Sequence, residues 1–351
     1  MLEAAAQGSQ LPLVSTGYFI GIHNMPNSFT ESRLPVEGDT VSPTLTIAAV
    51  FATMDHAQIS LACVRALAEQ TRPPDMVLVA DNVSSDDTVA TLESLAELPF
   101  KLIVHRMQEN GGNAGGIQEV MDMAFAKGAD AVWILDDDSW PRSDALAELL
   151  EKPWDPRVVR HALQIDPKTG RFTWPLQVND GIGGWRLTQT TDELPPGDHI
   201  RSRIIWTGAL LPKQVRDTVG PVNGALFIRG EDEEYPWRFE QAGFTQEAVR
   251  RAVLDHPGPA NIIHWRFLGK NFFYEPGLPD WKLHYKVRNM VWLKKQQTGG
   301  LRALAMAAVY AFAAARIDGV RRLRQIWDAT CDGWTGKLGK WSGHKGGPSS
   351  G

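Results

Sequence analysis

Cysteine is scarce in this sequence, with only Cys63 and Cys331 among 351 residues. Two cysteines cannot build a disulfide scaffold or a cysteine-rich zinc site, and they fit a reducing compartment. The chain also lacks a long apolar run: its longest late stretch without a charge covers residues 303–315, whereas a bilayer span needs about 20 residues. The first residues lack the basic start and long apolar core of a signal peptide. We therefore expect a cytoplasmic protein without a membrane-spanning helix.

A general excess of basic residues is also missing, because the net charge is −5. The charge is unevenly distributed: residues 281–351 contain 13 basic and 3 acidic residues, whereas residues 1–280 contain 23 basic and 38 acidic ones. The acidic body argues against a nucleic-acid partner. The basic C-terminal region is consistent with either of two arrangements: helices packed on the body, or peripheral contact with the anionic inner face of the plasma membrane.

The sequence does contain 43% apolar residues, enough for a sizeable core. Apolar runs predict four strands, and amphipathic segments between them predict helices. The predicted strands are 44–51, 76–80, 101–106 and 131–135, and the predicted helices are 58–70, 86–95, 116–127 and 143–150. Strand–helix repeats of this length predict an α/β fold, in which helices cover a parallel sheet.

Ligands bind at the carboxyl ends of the strands in such sheets. Three segments lie at these ends: Asp81 after the second strand, Asn110–Gly116 after the third and Asp136–Asp138 after the fourth. Asp81 can bind a ribose or a base edge, or it can cap the next helix. The glycines of 110–116 let backbone N–H groups approach a phosphate, although their spacing matches neither known phosphate-binding motif and a plain tight turn is the alternative.

The acidic segment 136–138 is the most informative feature of the first half. Three carboxylates at the end of an apolar strand repel each other unless a divalent cation or a set of donors neutralises them. Asp136 and Asp138 are alternate residues of an extended segment, so they can share one face. We expect a Mg²⁺ or Mn²⁺ site that leaves positions open for substrate phosphates. The alternative is a solvated acidic turn that caps the helix 143–150.

Several motifs occur together in the first half. They are Thr53-Met54-Asp55-His56, Gln70-Thr71-x-Pro73, Val79-x-Asp81-Asn82-x-Ser84-x-Asp86-x-Thr88, Asn110-x-Gly-x-Ala114-Gly115-Gly116 and Asp136-x-Asp138. This combination resembles the GT-A glycosyltransferases of the inverting family 2. The resemblance implies a GT-A fold, with a Rossmann-like, mostly parallel sheet that binds a nucleotide sugar over the ends of its first four strands.

The second half has four further motifs. They are Trp206-Thr207-Gly-Ala-Leu-Leu-Pro212-Lys213-Gln214-Val215, Leu226-Phe227-Ile228-Arg229-x-Glu231-Asp232-x-Glu234-Tyr235, Ile263-His264-Trp265 and Asp280-Trp281-x-x-x-Tyr285-x-x-Arg288-Asn289. These blocks resemble the cell-wall galactofuranosyltransferases, and the whole resemblance covers about residues 44–295. Gly230 stands where that family often has tryptophan.

The resemblance also implies roles for individual residues. Asp136, Asp138 and His264 would bind the metal, and Asp232 would be the general base, whose basicity the neighbouring acids raise. The implied donor contacts are Thr53, Asp81, Asn110, Gly115, Gly116 and Asp137, and the implied acceptor contacts are Trp206 and Glu231. Without the resemblance, His264 and Trp206 are equally well explained as core residues. Residues 231–234 are then equally well explained as a solvated helix start.

The implied domain organisation has four parts. Residues 1–43 are a lead-in, and 44–280 are the catalytic domain, with a nucleotide-binding half (44–150) and an acceptor half (151–280). Residues 281–330 are C-terminal helices, and 331–351 are a flexible tail.

The function implied by the resemblance is metal-dependent, inverting transfer of galactofuranose from UDP-galactofuranose to a hydroxyl of a glycan or polyprenyl-linked cell-wall acceptor. One alternative is a rhamnosyltransferase that uses dTDP-rhamnose and shares the glycine-rich turn. A nucleotidyltransferase would need a basic triphosphate loop near the first strand, where the sequence has only His56 and Arg65. A third alternative is a binding subunit with weak or no catalysis.

Overall fold

The computed structural model describes residues 45–343, with the exception of 182–183, 259–261 and 268–269. For residues 264–273 it describes no side chain. The predicted lead-in and the last residues of the predicted tail therefore lie outside the described residues.

The first half of the chain is a parallel βα unit. Its elements are β1 (Ile47–Thr53), α1 (Ala57–Ala68), β2 (Met76–Asp81), α2 (Thr88–Glu93), β3 (Lys101–Arg106), α3 (Gly112–Ala126) and β4 (Ala131–Ile134). The strands lie side by side in the order β3–β2–β1–β4, and all neighbours are parallel. Every residue of β1 and β4 is buried, as expected for central strands covered on both faces. The four strands predicted from the apolar runs are confirmed.

The second half extends this sheet with strands of mixed direction. Its elements are β5 (Trp140–Pro141), α4 (Ala145–Leu150), β6 (Val158–Ile165), β7 (Leu176–Asn179), β8 (Trp185–Thr188), β9 (His199–Arg203), β10 (Ala209–Pro212), α5 (Lys213–Val219), α6 (Glu231–Gln241), β11 (Thr245–Asp255), β12 (Ile263–Phe267) and β13 (Lys270–Tyr274). The full order is β3–β2–β1–β4–β10–β6–β11–β9–β7–β8, while β5 pairs with β11 and β12 pairs with β13. Because β10 is antiparallel to β4 and β6, and β11 is parallel to β6, strands β4, β6 and β11 point the same way.

Helices cover both faces of the sheet. On one face, α3 buries Ile117, Val120 and Ala124 in a core that also contains Val215 of α5 and Phe239 of α6. On the other face, α1 and α4 contribute their apolar sides to a second core, with Val64, Leu67, Leu146 and Leu149. The predicted α/β architecture with helices on both faces is therefore confirmed.

The glycine-rich segment differs from the sequence prediction. Helix α3 begins at Gly112 rather than Gly116, so Gly115 and Gly116 lie inside a helix and not in a loop. A Cβ on Gly116 would lie 2.8 Å from the Cβ of Ala52 and 3.2 Å from that of Ala80. The glycine therefore lets α3 lie directly on β1 and β2. In the sequence alone, a glycine required by packing looks like a loop residue.

A Gly116→Ala substitution is expected to destabilise the fold through this close approach. An added methyl in a tightly packed position costs about 1–3 kcal/mol, so the urea midpoint should fall. Gly115→Ala is the matched control, because its Cβ would meet nothing nearer than the Gly224 carbonyl oxygen at 4.0 Å and alanine favours the helix. Equal midpoints for the two variants would contradict the packing role of Gly116.

Three further helices follow the sheet and share an apolar core. They are α7 (Asp280–Thr298), α8 (Gly300–Ile317) and α9 (Arg322–Thr335). Helix α8 buries Ala303, Ala307 and Tyr310 against its two neighbours. With 18 residues and a mean hydropathy of 1.4, it is long and apolar enough to cross a membrane by length and composition alone, and 33% of it is buried. The uncharged run 303–315 is shorter than this helix, because Gly300–Arg302 and Arg316–Ile317 extend the helix at both ends.

Residues 331–343, the first part of the predicted flexible tail, make specific contacts in this structure. Residues 331–335 complete α9, and the chain then packs back onto α7. The ring of Trp341 stacks on that of His284 at a centroid distance of 4.3 Å, and the N–H of Trp341 donates to the hydroxyl of Tyr285 at 2.8 Å. Two tryptophans, Trp334 and Trp341, supply the apolar area that fixes this glycine-rich segment.

Candidate functional site

The predicted site segments meet at one edge of the sheet. Thr53 and Asp81 are paired residues at the ends of β1 and β2. Beyond β4, the N–H of Leu135 still bonds to Val50 of β1, and the acidic segment follows directly. Parallel strands thus bring these polar residues to the same carboxyl edge, as the topology argument expected.

Two of the aspartates form a candidate metal centre with a histidine from the second half. The ligand atoms of Asp136, Asp138 and His256 all lie within 4.8 Å of one another. His256 Nε2 lies 3.3 Å from Asp138 Oδ1, while Asp136 accepts a hydrogen bond from the hydroxyl of Thr207 at 2.7 Å. Carboxylate and imidazole groups at this spacing suit Mn²⁺ or Mg²⁺ with open positions for a substrate.

The charges of this centre favour a cation. Burial, together with the neighbouring aspartates, raises the pKa of Asp136 to about 6. Burial alone would lower the pKa of His256, but the hydrogen bond to Asp138 and the charge of Asp136 raise it. Without a metal, a proton on His256 partly neutralises the carboxylates, and a divalent cation would neutralise them more fully.

His256 is a residue that the sequence analysis missed. It follows β11 directly, and β11 points the same way as β4, so the ends of both strands reach the same edge. Its other ring nitrogen, Nδ1, lies 3.0 Å from Gln164 Oε1, which orients the imidazole. The only signal in the sequence was a histidine beside an acidic residue at the end of an apolar run. His264 lies on β12, and its side chain is outside the described part of the chain, so its metal role stays a prediction.

Replacing each histidine in turn distinguishes the two candidate ligands. We expect His256→Ala to weaken Mn²⁺ binding at least about tenfold, since loss of groups around a metal commonly costs 10- to 100-fold in affinity. Isothermal titration of Mn²⁺ in the presence of UDP measures this change. His105→Ala, on β3, serves as the surface control. Normal Mn²⁺ affinity in His256→Ala together with a loss in His264→Ala would assign the third ligand to His264 instead.

Asp137 turns away from the other two aspartates. It accepts hydrogen bonds from the hydroxyl of Thr53 at 2.7 Å, and its Oδ2 lies 2.8 Å from His56 Nδ1. The hydrogen bond to Asp137 raises the pKa of His56. The side chains of Thr53 and Asp137, both predicted donor contacts, are thus adjacent at the ends of β1 and β4.

The remaining predicted donor residues line the same edge. Asp81 is buried and accepts hydrogen bonds from the N–H of Ser84, 3.2 and 3.3 Å from its two oxygens. Asn110 accepts from the N–H of Gly112 at 2.8 Å. These bonds shape the two loops that follow β2 and β3, and contact with a donor stays a prediction for both residues, as for Gly115.

The start of α6 joins this edge through α3. Asn113, in the first turn of α3, donates to Glu231 Oε1 at 3.0 Å, and the N–H of Ala114 donates to the carbonyl of Phe227 at 3.0 Å. Asp136 is close enough for its charge to contribute to the raised pKa of Glu231. The acidic start of α6 therefore lies close enough to Asp136 for the charges of Glu231 and Asp136 to interact, and we call the region between them the cleft.

Glu231 and Asp232 differ in exposure and in protonation. Glu231 is buried, and burial together with the charge of Asp232 raises its pKa to about 8. Asp232 is accessible to solvent, and its Oδ1 accepts a hydrogen bond from the N–H of Gly230 at 2.9 Å. Partial desolvation and the charge of Glu233 raise its pKa. Asp232 is thus the accessible carboxylate, while Glu231 is mainly protonated at neutral pH.

The backbone before α6 is strained and is held by α7. Phe227 and Arg229 have positive φ angles of 69° and 64°, which side-chain-bearing residues rarely adopt. The amide of Asn289 donates to the carbonyls of Leu226 at 2.9 Å and Ile228 at 3.1 Å, and Arg288 also donates to Leu226 at 3.0 Å. Both side chains are buried. The Arg-Asn pair of the sequence motif therefore fixes the segment that carries Asp232.

The packing of the strained segment against Asn289 also favours a glycine at position 230. Its φ is 115°, and a Cβ there would lie 3.1 Å from the Cβ of Asn289. A side chain at this position would be strained at this φ and would press on Asn289.

Trp206 lies in the core in this structure. It is 5% exposed and makes an edge-to-face contact with Tyr235 at a ring-centroid distance of 6.0 Å. Among the described residues its indole N–H has no hydrogen-bond partner. Stacking on an acceptor sugar would require its ring face to become accessible, so the acceptor role stays a prediction.

A mixed sheet with a parallel core and an acidic centre at its carboxyl edge is typical of GT-A glycosyltransferases. A family model described as Glycosyl transferase family 2 matches residues 52–211. The galactofuranosyltransferase GlfT1 of Mycobacterium tuberculosis (strain H37Rv) is 32% identical over 248 residues, which cover 68% of this chain and 78% of that protein. GlfT1 of Mycolicibacterium smegmatis is 29% identical over 220 residues, with 60% and 70% covered. The chain belongs to glycosyl transferase family 2.

Solved structures agree with the fold. The mannosyltransferase PcManGT from Pyrobaculum calidifontis, solved in complex with GDP-Man and Mn²⁺, matches with a TM-score of 0.51 over 84% of this chain and 88% of that one. Its sequence identity is 15%. The GT-A fold expected from the motifs is thereby confirmed, and the family model and the GlfT1 relatives confirm the glycosyltransferase class.

Proposed function

We propose that the protein transfers galactofuranose from UDP-galactofuranose to a hydroxyl of a glycan or a polyprenyl-linked cell-wall acceptor. The observation that carries the proposal is the grouping of Asp136, Asp138 and His256 at the sheet edge. The start of α6, which carries the exposed Asp232, is held near this edge by the hydrogen bond from Asn113 to Glu231. The identity with curated galactofuranosyltransferases over most of their length supports the choice of sugar.

The metal group fits a nucleotide diphosphate. Asp136, Asp138 and His256, or His264 in its place, would hold Mn²⁺ or Mg²⁺, and the bound cation would offset the charge that builds on the leaving diphosphate. The mannosyltransferase with the same fold was solved with Mn²⁺. Thr53, Asp81 and Asp137 would orient the nucleotide at the ends of β1, β2 and β4.

Asp232 would act as the general base. Its carboxylate would take the proton of the acceptor hydroxyl as that oxygen attacks the anomeric carbon from the side opposite the diphosphate. A single displacement inverts the configuration at that carbon, so no second carboxylate nucleophile is needed. Glu231, protonated and bonded to Asn113, would orient the acceptor rather than remove its proton.

A donor screen tests this function. With UDP-galactofuranose, Mn²⁺ and a glycan acceptor, we expect release of UDP, loss of turnover in EDTA and recovery when Mn²⁺ or Mg²⁺ is restored. Product-nucleotide release from dTDP-rhamnose instead would identify a rhamnosyltransferase. Tight UDP binding without turnover on any donor would identify a binding subunit, and full activity in EDTA would exclude the metal-dependent mechanism.

We also propose that the C-terminal helices contact an anionic membrane surface. Helices α8 and α9 and the turn between them expose large apolar side chains: Leu301 is 87%, Val320 73% and Trp327 68% exposed. Arg302, Arg316, Arg321 and Arg324 flank these residues in sequence. A solvent-facing helix side is normally polar, whereas apolar residues bordered by arginines suit the headgroup region of an anionic bilayer.

Trp327→Gln is expected to weaken binding to vesicles that contain anionic lipid, because the indole would no longer insert among the headgroups. Sedimentation with phosphatidylglycerol vesicles measures this change. Trp174→Gln is the matched control, since Trp174 is also exposed, at 40%, but lies outside the C-terminal helices. Equal vesicle binding by both variants and the unmodified protein would contradict the membrane contact.

A further inference from the structure

A basic pocket lies beside the cleft, between the strained segment and α7. The pocket consists of Arg229, Lys282, Lys286, Glu275 and Tyr310. Arg229 pairs with both oxygens of Glu275 at 2.9 and 2.8 Å, and Lys286 Nζ lies 2.8 Å from the same carboxylate. The ammonium of Lys286 also lies 5.6 Å from the ring centroid of Tyr310.

The charges in this pocket do not balance. Glu275 is shared by two cations, and its pairing with Arg229 and Lys286 outweighs burial and lowers its pKa to about 2. Lys282 has no carboxylate partner among the residues that the structure describes, and its ammonium lies 5.3 Å from the ring centroid of Trp281. Burial followed by the charge of Arg229 lowers its pKa, and the charge of Glu275 opposes this effect. Burying unpaired positive charge is unfavourable, and an anionic ligand would compensate for it.

A second observation points to a ligand here. Tyr310 is 7% exposed, and in the described part of the chain its hydroxyl has no hydrogen-bond partner. A buried hydroxyl without a partner is costly, and it can donate to an oxygen-rich group. The ring of Tyr310 lies beside the Lys286 ammonium, at 5.6 Å, which places this side chain next to the basic residues of the pocket.

The pocket adjoins the proposed base. Arg229 precedes Asp232 by three residues and its charge lowers the pKa of that carboxyl, opposing the effect of burial. Asp232 in turn acts to raise the pKa of Lys286. An anion bound by these cations would therefore lie next to the position where the acceptor hydroxyl and the leaving group meet.

We propose that Arg229, Lys282 and Lys286 form a binding site for a substrate phosphate group. Two sources have this chemistry: the diphosphate that leaves with the donor nucleotide, and a phosphate that links the acceptor glycan to a carrier. Arginine and lysine are the usual partners of phosphate oxygens, and the Tyr310 hydroxyl adds a further donor. This inference rests on the proposed function, since both sources are substrates of a sugar-nucleotide transferase.

Titration of inorganic pyrophosphate without divalent cations tests the site independently of transfer. Lys282→Met is the primary variant, because removing the Lys282 ammonium leaves no carboxylate unpaired. We expect the pyrophosphate affinity of this variant to fall about tenfold, the effect of losing one charged hydrogen bond. Lys282→Arg should retain binding, Glu275→Gln should strengthen it, and Lys101→Met, on β3, should bind as the unmodified protein does. Pyrophosphate affinity unchanged from the unmodified protein in both Lys282→Met and Lys286→Met, or no binding by the unmodified protein at millimolar pyrophosphate, would overturn the proposal.

Two kinetic comparisons then identify the source of the phosphate. If it belongs to the acceptor, Lys282→Met should raise KM for a phosphate-bearing acceptor but not for the same glycan without phosphate. If it belongs to the donor, the variant should bind UDP more weakly and leave the acceptor KM unchanged. Changes in neither quantity would overturn the proposal. Failure of the proposed function would look different, because pyrophosphate would still bind while UDP-galactofuranose gave no product.

Discussion

Asp232→Asn is expected to lower kcat by about 10²- to 10⁴-fold, the range attributed to a positioned general base. The asparagine keeps the hydrogen bond to the N–H of Gly230 but cannot accept a proton, so UDP binding should remain near normal. The pKa of Asp232 is raised above the usual 3.8 of an aspartate. As the pH falls, the unmodified enzyme should therefore lose activity at a higher pH than an ordinary aspartate base would allow. Steady-state kinetics with UDP-galactofuranose, and UDP titration calorimetry, measure both effects.

Glu231→Gln is the matched control for this experiment. Glu231 has a pKa of about 8, so its glutamine variant resembles the form that predominates at pH 7 and can keep the contact with Asn113. We expect at most about a tenfold loss, the effect of one altered hydrogen bond. If Glu231→Gln abolished transfer while Asp232→Asn retained it, the two acidic residues would have to exchange roles.

Asn289→Ala is expected to lower kcat on the order of 10²-fold although this side chain touches no substrate. The substitution removes the amide that holds the carbonyls of Leu226 and Ile228, so the strained segment before Asp232 can relax. A displacement of about 1 Å at a reacting group can cost 10²-fold in rate. UDP affinity should change little, and the acid limb of the kcat/KM profile should shift as the surroundings of Asp232 change.

A merely structural effect can be separated from this positioning role. Gln246 is also a buried amide, and it donates to Glu240 near the other end of α6 at 2.9 Å. Gln246→Ala should therefore lose comparable stability, since each variant leaves buried partners without a hydrogen bond, but its kcat should remain close to that of the unmodified enzyme. Equal losses of kcat in the two variants would show that Asn289 acts only through stability.

The first half of the fold was accessible to sequence reasoning because its signals are local. Strands β1, β2 and β4 are mainly apolar runs and β3 has an apolar centre, and the polar residues that follow them identify the ligand-binding edge. The start of α3 was not accessible in this way, since Gly112, Gly115 and Gly116 indicate a loop by composition. The glycine at position 116 is explained by its contact with Ala52 and Ala80, which exists only once α3 lies on the sheet.

The second half depends on contacts between distant residues. The position of His256 follows from β11 lying parallel to β6, two strands beyond β4, and no local pattern encodes that order. Similarly, Arg288 and Asn289 were visible as a motif, but their role appears only when α7 packs against the segment 226–229. The basic pocket likewise combines residues from the segment before α6, from Glu275 and from two C-terminal helices.

The most direct test of the central claim is a crystal structure with UDP and Mn²⁺, with the metal identified by its anomalous scattering. We expect one Mn²⁺ bound by the carboxylates of Asp136 and Asp138 and by the diphosphate, with the carboxylate of Asp232 facing the same cleft. A cation bound elsewhere, or a diphosphate separated from Asp232 by the body of the protein, would contradict the account.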